Sequence, residues 1–273
     1  MRLLVLLALV FAFSCSHKSS QTGTATIIKQ WHPSPSVDTR NIKDTKSLPQ
    51  YLNQKEIYAY ITNKLKTQKS TLLIVEGCES GIEIDDNFQQ TFNGWNMKSL
   101  VKASISEDYD EIVTALPLKL KAKFPKVITA LCADNLSMLK KNQLAISDAR
   151  GFIGFYIRLK QTAGDPKKFL TYKKALEETH KIEVADPIGY SKAQTIKSLE
   201  SFNHYVQQRN VIFTQAIKKH IDKNPILIVG GLHANDLINQ LKAEGIKTEV
   251  ITPKGYPESS ERLAADLLKA LEE

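Results

Sequence analysis

Several familiar signatures are missing from this chain. It contains no Gly-x-Ser-x-Gly elbow and no His-Glu-x-x-His, which excludes two common hydrolase motifs. No basic run is interleaved with aromatics, so nucleic acid is not an expected partner. The 37 Lys+Arg against 29 Asp+Glu give a net charge of +8, spread as Lys-Lys pairs on helix-type segments. That excess reads as a solvated surface with a general preference for anionic partners. No fixed-period repeat or low-complexity break interrupts the chain after Thr24. Cysteine is scarce, with only Cys15, Cys78 and Cys132 present.

The N-terminal apolar run, Leu3 to Phe13, is too short to span a bilayer but suits a secretion signal. It ends in Ala12-Phe13-Ser14-Cys15, which resembles a bacterial lipoprotein lipobox with Cys15 as the lipidated residue. The expected organisation is a signal peptide over 1–15, a short polar tether over 16–23, and a single domain over 24–273. Ser16 after the cysteine favours sorting to the outer membrane, facing the periplasm. In an oxidising envelope Cys78 and Cys132 either pair or remain two part-buried thiols; sequence separation does not decide.

Hydrophobic residues make up 42% and charged residues 24%, ordinary values for a globular protein with a sizeable core. Strand-type runs at Thr24 to Gln30, Leu72 to Glu76, Val127 to Ala133, Ile226 to Val229 and Thr248 to Thr252 alternate with helix-type patterns. The helices are expected over Tyr51 to Lys66, Asp108 to Phe124, Phe169 to Ile182, Gln194 to Ile221 and Glu258 to Glu272. This alternation predicts an α/β fold, a mostly parallel sheet with helices on both faces.

Three strands end on residues that can do chemistry. Ile226 to Val229 runs into Gly230-Gly-Leu-His233, Thr24 to Gln30 into Trp31-His32, and Thr71 to Val75 into Glu76. Ligands of open α/β sheets collect at such carboxyl ends. His233 is expected on a turn, with Asn235 or Asp236 capping the helix that follows and Gly245 ending it. A helix N-terminus disfavours a protonated imidazole, leaving the neutral form that a metal ligand or a general base requires. Glu76 closes an apolar run and needs a cation, a metal or a proton. Arg209 lies on the apolar stripe Leu199, Phe202, Val206, Phe213, Ile217 and is expected to pair with Glu76 or to reach a substrate. Asp134, Asn135, Asp148 and Arg150 carry a weaker signal for the same cleft.

On these residues the chain resembles the Tiki/TraB/ChaN/erythromycin-esterase superfamily. Gly230-Gly-Leu-His233 fits its second G-x-x-H, Gln208-Arg209-Asn210 its Arg-Asn element, and Val75-Glu76-Gly77 its acidic strand end. Lys29-Gln-Trp-His32 keeps the histidine of the first motif but has lysine for its glycine. The resemblance implies one of two functions for an envelope lipoprotein. The first is hydrolysis of an ester or peptide bond. There His32, Glu76 and His233 would hold a divalent metal, or Glu76 and a histidine would activate water directly, and Arg209 would fix the substrate or its oxyanion, with Asn210 and Arg150 in support. The second is binding of haem or iron through a histidine. The partners implied are a membrane, through the lipid anchor, and a small-molecule or peptide substrate.

Overall fold

The apolar runs form a single parallel sheet. The computed structural model describes residues 23–31, 49–85, 87–90, 95–96, 116–269 and 271–272. In chain order the elements are β1 (Thr24–Gln30), α1 (Pro49–Leu65), β2 (Thr71–Glu79), β3 (Gln89–Gln90), β4 (Trp95–Asn96), α2 (Leu116–Lys123), β5 (Ile128–Asp134) and α3 (Leu136–Gln161). Then follow α4 (Pro166–His180), α5 (Pro187–Lys219), β6 (Ile226–Gly230), α6 (Gly231–Ala243), β7 (Lys247–Ile251) and α7 (Leu263–Lys269). Strands β3 and β4 form a separate antiparallel pair.

The main sheet has the order β5-β2-β6-β1-β7, with every pairing parallel. β6 is its centre, and all five of its residues are buried. A strand covered on both faces is apolar throughout, which is why Ile226 to Val229 shows no alternation. Ile28, Leu73, Val75, Ile128 and Ile228 pack on one face against Ile57 and Ile61 of α1 and Leu118 and Leu120 of α2. Ala25, Ile27, Ile74, Leu227 and Val229 pack on the other against Phe213 and Ile217 of α5 and Leu237 and Leu241 of α6. Burying one such side chain contributes about 1.5–3 kcal/mol, so this double-sided core holds the strand ends in register.

Two features differ from the sequence expectation. Helix α3 is absent from it, although it is 26 residues long and packs along α5. Its buried face carries Asn142, Ala145 and Ala149 between Leu139 and Phe152, so small and polar residues dilute the apolar period. The helix after β6 begins at Gly231, with Gly230 as its cap, and not after Asn235. Strand passes directly into helix, so His233 lies in the first helical turn and is 4% exposed. Part of the helix expected over Asp108 to Phe124 lies outside the described residues, as do Cys15 and His32.

Cys78 and Cys132 form a disulfide, with their Cα atoms 5.2 Å apart. Where β7 ends, Asn53 of α1 continues its hydrogen bonding to β1. Its Oδ1 accepts from the Trp31 amide at 2.9 Å, and its Nδ2 donates to the Lys29 carbonyl at 3.3 Å.

Candidate active site

At the carboxyl end of the sheet, β2, β5, β6 and α5 converge on the guanidinium of Arg209. Its helix, α5, is capped by Asp186 and has Pro187 in its first turn. The buried stripe of α5 runs Leu199, Phe202, Val206, Arg209, Phe213, Ile217, which delivers Arg209 into the sheet side at 2% exposure. All five of its donors find acceptors. Nε donates to Asp134 Oδ1 at 2.9 Å, and Nη2 to Asp134 Oδ2 at 2.7 Å and Glu76 Oε1 at 2.6 Å. Nη1 donates to Asn142 Oδ1 at 3.5 Å and faces His233 Nε2 at 3.1 Å.

Burial opposes the guanidinium charge, but Glu76 and Asp134 more than offset it, so the Arg209 pKa is raised and the group stays cationic. One cation against two carboxylates leaves this trio formally one charge negative.

Asp134 is wholly buried and takes four hydrogen bonds. Besides the two from Arg209, the Asn135 amide donates to Oδ1 and the Gly77 amide to Oδ2. Gly77 has φ +87°, a conformation costly for other residues, and it sits where the β2 register shifts between Val75 and Glu79. That shift turns the Gly77 amide towards Asp134. The disulfide joins β2 to β5 next to both carboxylates. Glu79 is exposed and accepts from the Leu136 amide at the start of α3.

Glu76 follows Val75, where β2 leaves its regular register with β5 and β6, and keeps 15% of its side chain in solvent. Its Oε2 accepts from the Gly230 amide at 3.1 Å. Its Oε1 lies 3.5 Å from His233 Nε2. The His233 tautomer follows from its neighbours. A guanidinium only donates, so Nε2 presents its lone pair to Arg209. Nδ1 lies 2.7 Å from Asn210 Oδ1 and carries the proton. The orientation of that amide is set by its Nδ2, which donates to the His233 carbonyl and to Asp236 Oδ2. The imidazole is neutral in this arrangement.

The structure brings together Glu76, Arg209, His233 and Asn210. Arg150 is exposed on α3 and takes no part in the network. Asp134, one of the weaker candidates, proves the main partner of Arg209. Asn142 is absent from the sequence candidates, although a polar residue on a buried helical face is the same signal that marks Arg209; Asp236 is among them only as a helix cap. Asn235 and Asp236 lie inside α6 and do not cap it.

Arg209 pairs with Glu76, the first of its two expected roles; the second, reaching a substrate, does not suit a guanidinium whose N–H groups are all engaged. Of the donors expected for a metal, His32 lies outside the described residues, while His233 Nε2 and Glu76 Oε1 both engage Arg209. A metal ion between these two would have to displace that cation. His233 is 4% exposed with both ring nitrogens engaged, so as a haem ligand it would first have to leave Arg209 or Asn210.

One strand further along, Lys29, Glu261, Asn235 and Tyr256 form a second polar cluster. Lys29 Nζ meets Glu261 Oε1 at 2.5 Å, and Asn235 Nδ2 donates to Oε2 at 2.8 Å. Burial would raise the Glu261 pKa, but Lys29, with further donors from Asn235 and Tyr256, takes it below its ordinary value. Tyr256 packs its hydroxyl so closely on Gly231 that a β-carbon there would lie 1.5 Å from Oη. This contact requires glycine at the head of α6.

No family model, curated protein or solved structure matches the chain.

Proposed function

We propose that the protein is a cell-envelope lipoprotein that hydrolyses an ester or peptide bond by acid–base chemistry at Glu76. The observation that carries this reading is a part-exposed carboxylate at a parallel strand end, fixed by Arg209 and the Gly230 amide, with a neutral His233 3.5 Å away. Glu76 takes a proton from water, and the hydroxide adds to the substrate carbonyl. Collapse of the tetrahedral intermediate breaks the bond to the leaving oxygen or nitrogen, which receives the proton back from Glu76. Arg209 and the Gly230 amide hold the carboxylate in place, and no step is assigned to a metal. The resemblance to the Tiki/TraB/ChaN/erythromycin-esterase superfamily, some branches of which hydrolyse esters or peptides, supports this reading.

The envelope assignment rests on the lipobox-like Ala12 to Cys15, and the Cys78–Cys132 disulfide supports an oxidising compartment. Outer-membrane anchorage facing the periplasm is part of the proposal. Cys15→Ala should move the protein from the membrane fraction to the soluble one; retention at high salt would end the lipoprotein reading.

The activity is tested on a panel of p-nitrophenyl esters and fluorogenic peptides. We expect turnover that persists in chelator, and Glu76→Gln to reduce it at least 100-fold with an unchanged circular dichroism spectrum. Absence of turnover across the panel, or full activity in Glu76→Gln, would overturn the assignment.

A further inference from the structure

A groove separate from the Arg209 network lies along the outer side of α3 and α5. We propose that it is a binding site for a sugar or polyol phosphate. Its volume is about 460 Å³, within the range that takes a small organic ligand.

The groove arises from the sequence of two facing helical stripes. On α3 the lining residues Lys141, Ala145, Asp148 and Phe152 follow steps of four, three and four, with the exposed Leu144 beside them. On α5 Gln194, Ser198, Ser201 and Tyr205 follow the same steps, with Lys197 beside them. Such spacing normally forms a packed seam of large apolar residues between helices. Here alanine and two serines occupy the middle of the seam, so the helices touch below it and leave a gap above. Beneath the gap, Ala145 also packs with Phe202 and Val206, which closes the floor.

The chemistry of the walls selects the ligand. Lys141 on α3 and Lys197 on α5 place a cation on either side, against one carboxylate, Asp148. Lysine is a compact point charge with rotatable donors and serves as a phosphate binder. Asp148 and Gln194 offer acceptors for hydroxyl groups, and Ser198 and Tyr205 contribute hydroxyls of their own. At one end His180 stacks on Phe152, with ring centroids 4.4 Å apart and an interplanar angle of 21°, which gives the groove an aromatic end. Phosphate alone would leave most of the groove unfilled, so the anion is expected on a hydroxylated organic body.

The test is calorimetric titration of the full chain, in non-ionic detergent, with glucose 6-phosphate, inorganic phosphate and glucose. We expect glucose 6-phosphate to bind at least tenfold more tightly than either fragment. Lys141→Gln/Lys197→Gln should weaken it at least tenfold. Both lysines are exposed, so the fold should survive their replacement. Ser198→Trp, which fills the groove without removing charge, should weaken binding to a similar degree. Three results would each overturn the proposal: no binding at millimolar concentration, equal binding of phosphate and glucose 6-phosphate, or binding unchanged in both variants.

Discussion

Arg209 and Asp134 form a two-pronged ion pair between helix α5 and the end of strand β5, at 2.9 and 2.7 Å, with 2% and 0% of their side chains exposed. Two charges removed from water stabilise little as a pair, but removing one of them strands the other. Asp134→Ala should therefore cost roughly 3–5 kcal/mol, measured by urea unfolding. A loss below about 1 kcal/mol, the range of exposed pairs, would show that the pair is solvated.

The Asn210–His233 contact makes a spectroscopic prediction. Long-range proton–nitrogen NMR spectra should show Nδ1 protonated and Nε2 bare at neutral pH. Asn210→Ala removes the acceptor that fixes this tautomer, so the spectra should move towards a mixture. Turnover should fall about 10–100-fold, the usual effect of losing a group that orients an imidazole. A wild-type signal with the proton on Nε2 would contradict the assignment.

Gly231→Ala should destabilise the protein, because the new β-carbon would lie 1.5 Å from Tyr256 Oη and 2.5 Å from its ring carbon Cζ. The double variant Gly231→Ala/Tyr256→Ala should recover part of that loss. Thermal unfolding of the four-member cycle measures the coupling, and strict additivity would rule out the clash.

Glu261 makes a pH prediction. Its folded pKa is depressed below the ordinary 4.5 by Lys29 and its other donors, despite burial. A depressed carboxylate contributes stability that is complete above its unfolded pKa and is lost as pH falls through the folded value. The difference in stability between wild type and Glu261→Gln should be constant at neutral pH and shrink below about pH 4.5. A difference that grows on acidification would reverse the sign of this argument.

The strands are legible in the sequence because a doubly covered parallel strand is an uninterrupted apolar run, as at Ile226 to Val229. Arg209 is legible for the converse reason, as a charge on an apolar stripe. Asn142 follows the same logic, but it stands on a helix whose period is blurred by Ala145 and Ala149. The start of α6 is hidden by Gly230 and Gly231, poor helix formers, the second of which is needed because Tyr256 approaches so closely. Asp134 follows an apolar strand run much as Glu76 does. Its dominance depends on the Gly77 amide and Arg209 arriving from 57 and 75 residues away, which no local pattern contains.

The sheet order also has a consequence for how the chain comes into being. β6 lies between β2 and β1, so the two earliest strands cannot pair with each other and must await a segment made some 150 residues after β2. Until residues 226–230 emerge, the nascent polypeptide has two exposed strand flanks and no middle, and Glu76 lacks the Gly230 amide. A chain interrupted before that point would retain β2, β5 and the disulfide's two cysteines, yet β1 would have no strand to pair with. The joining of β1 to β2 and the assembly of the site are thus a single late event, set by the position of one five-residue strand.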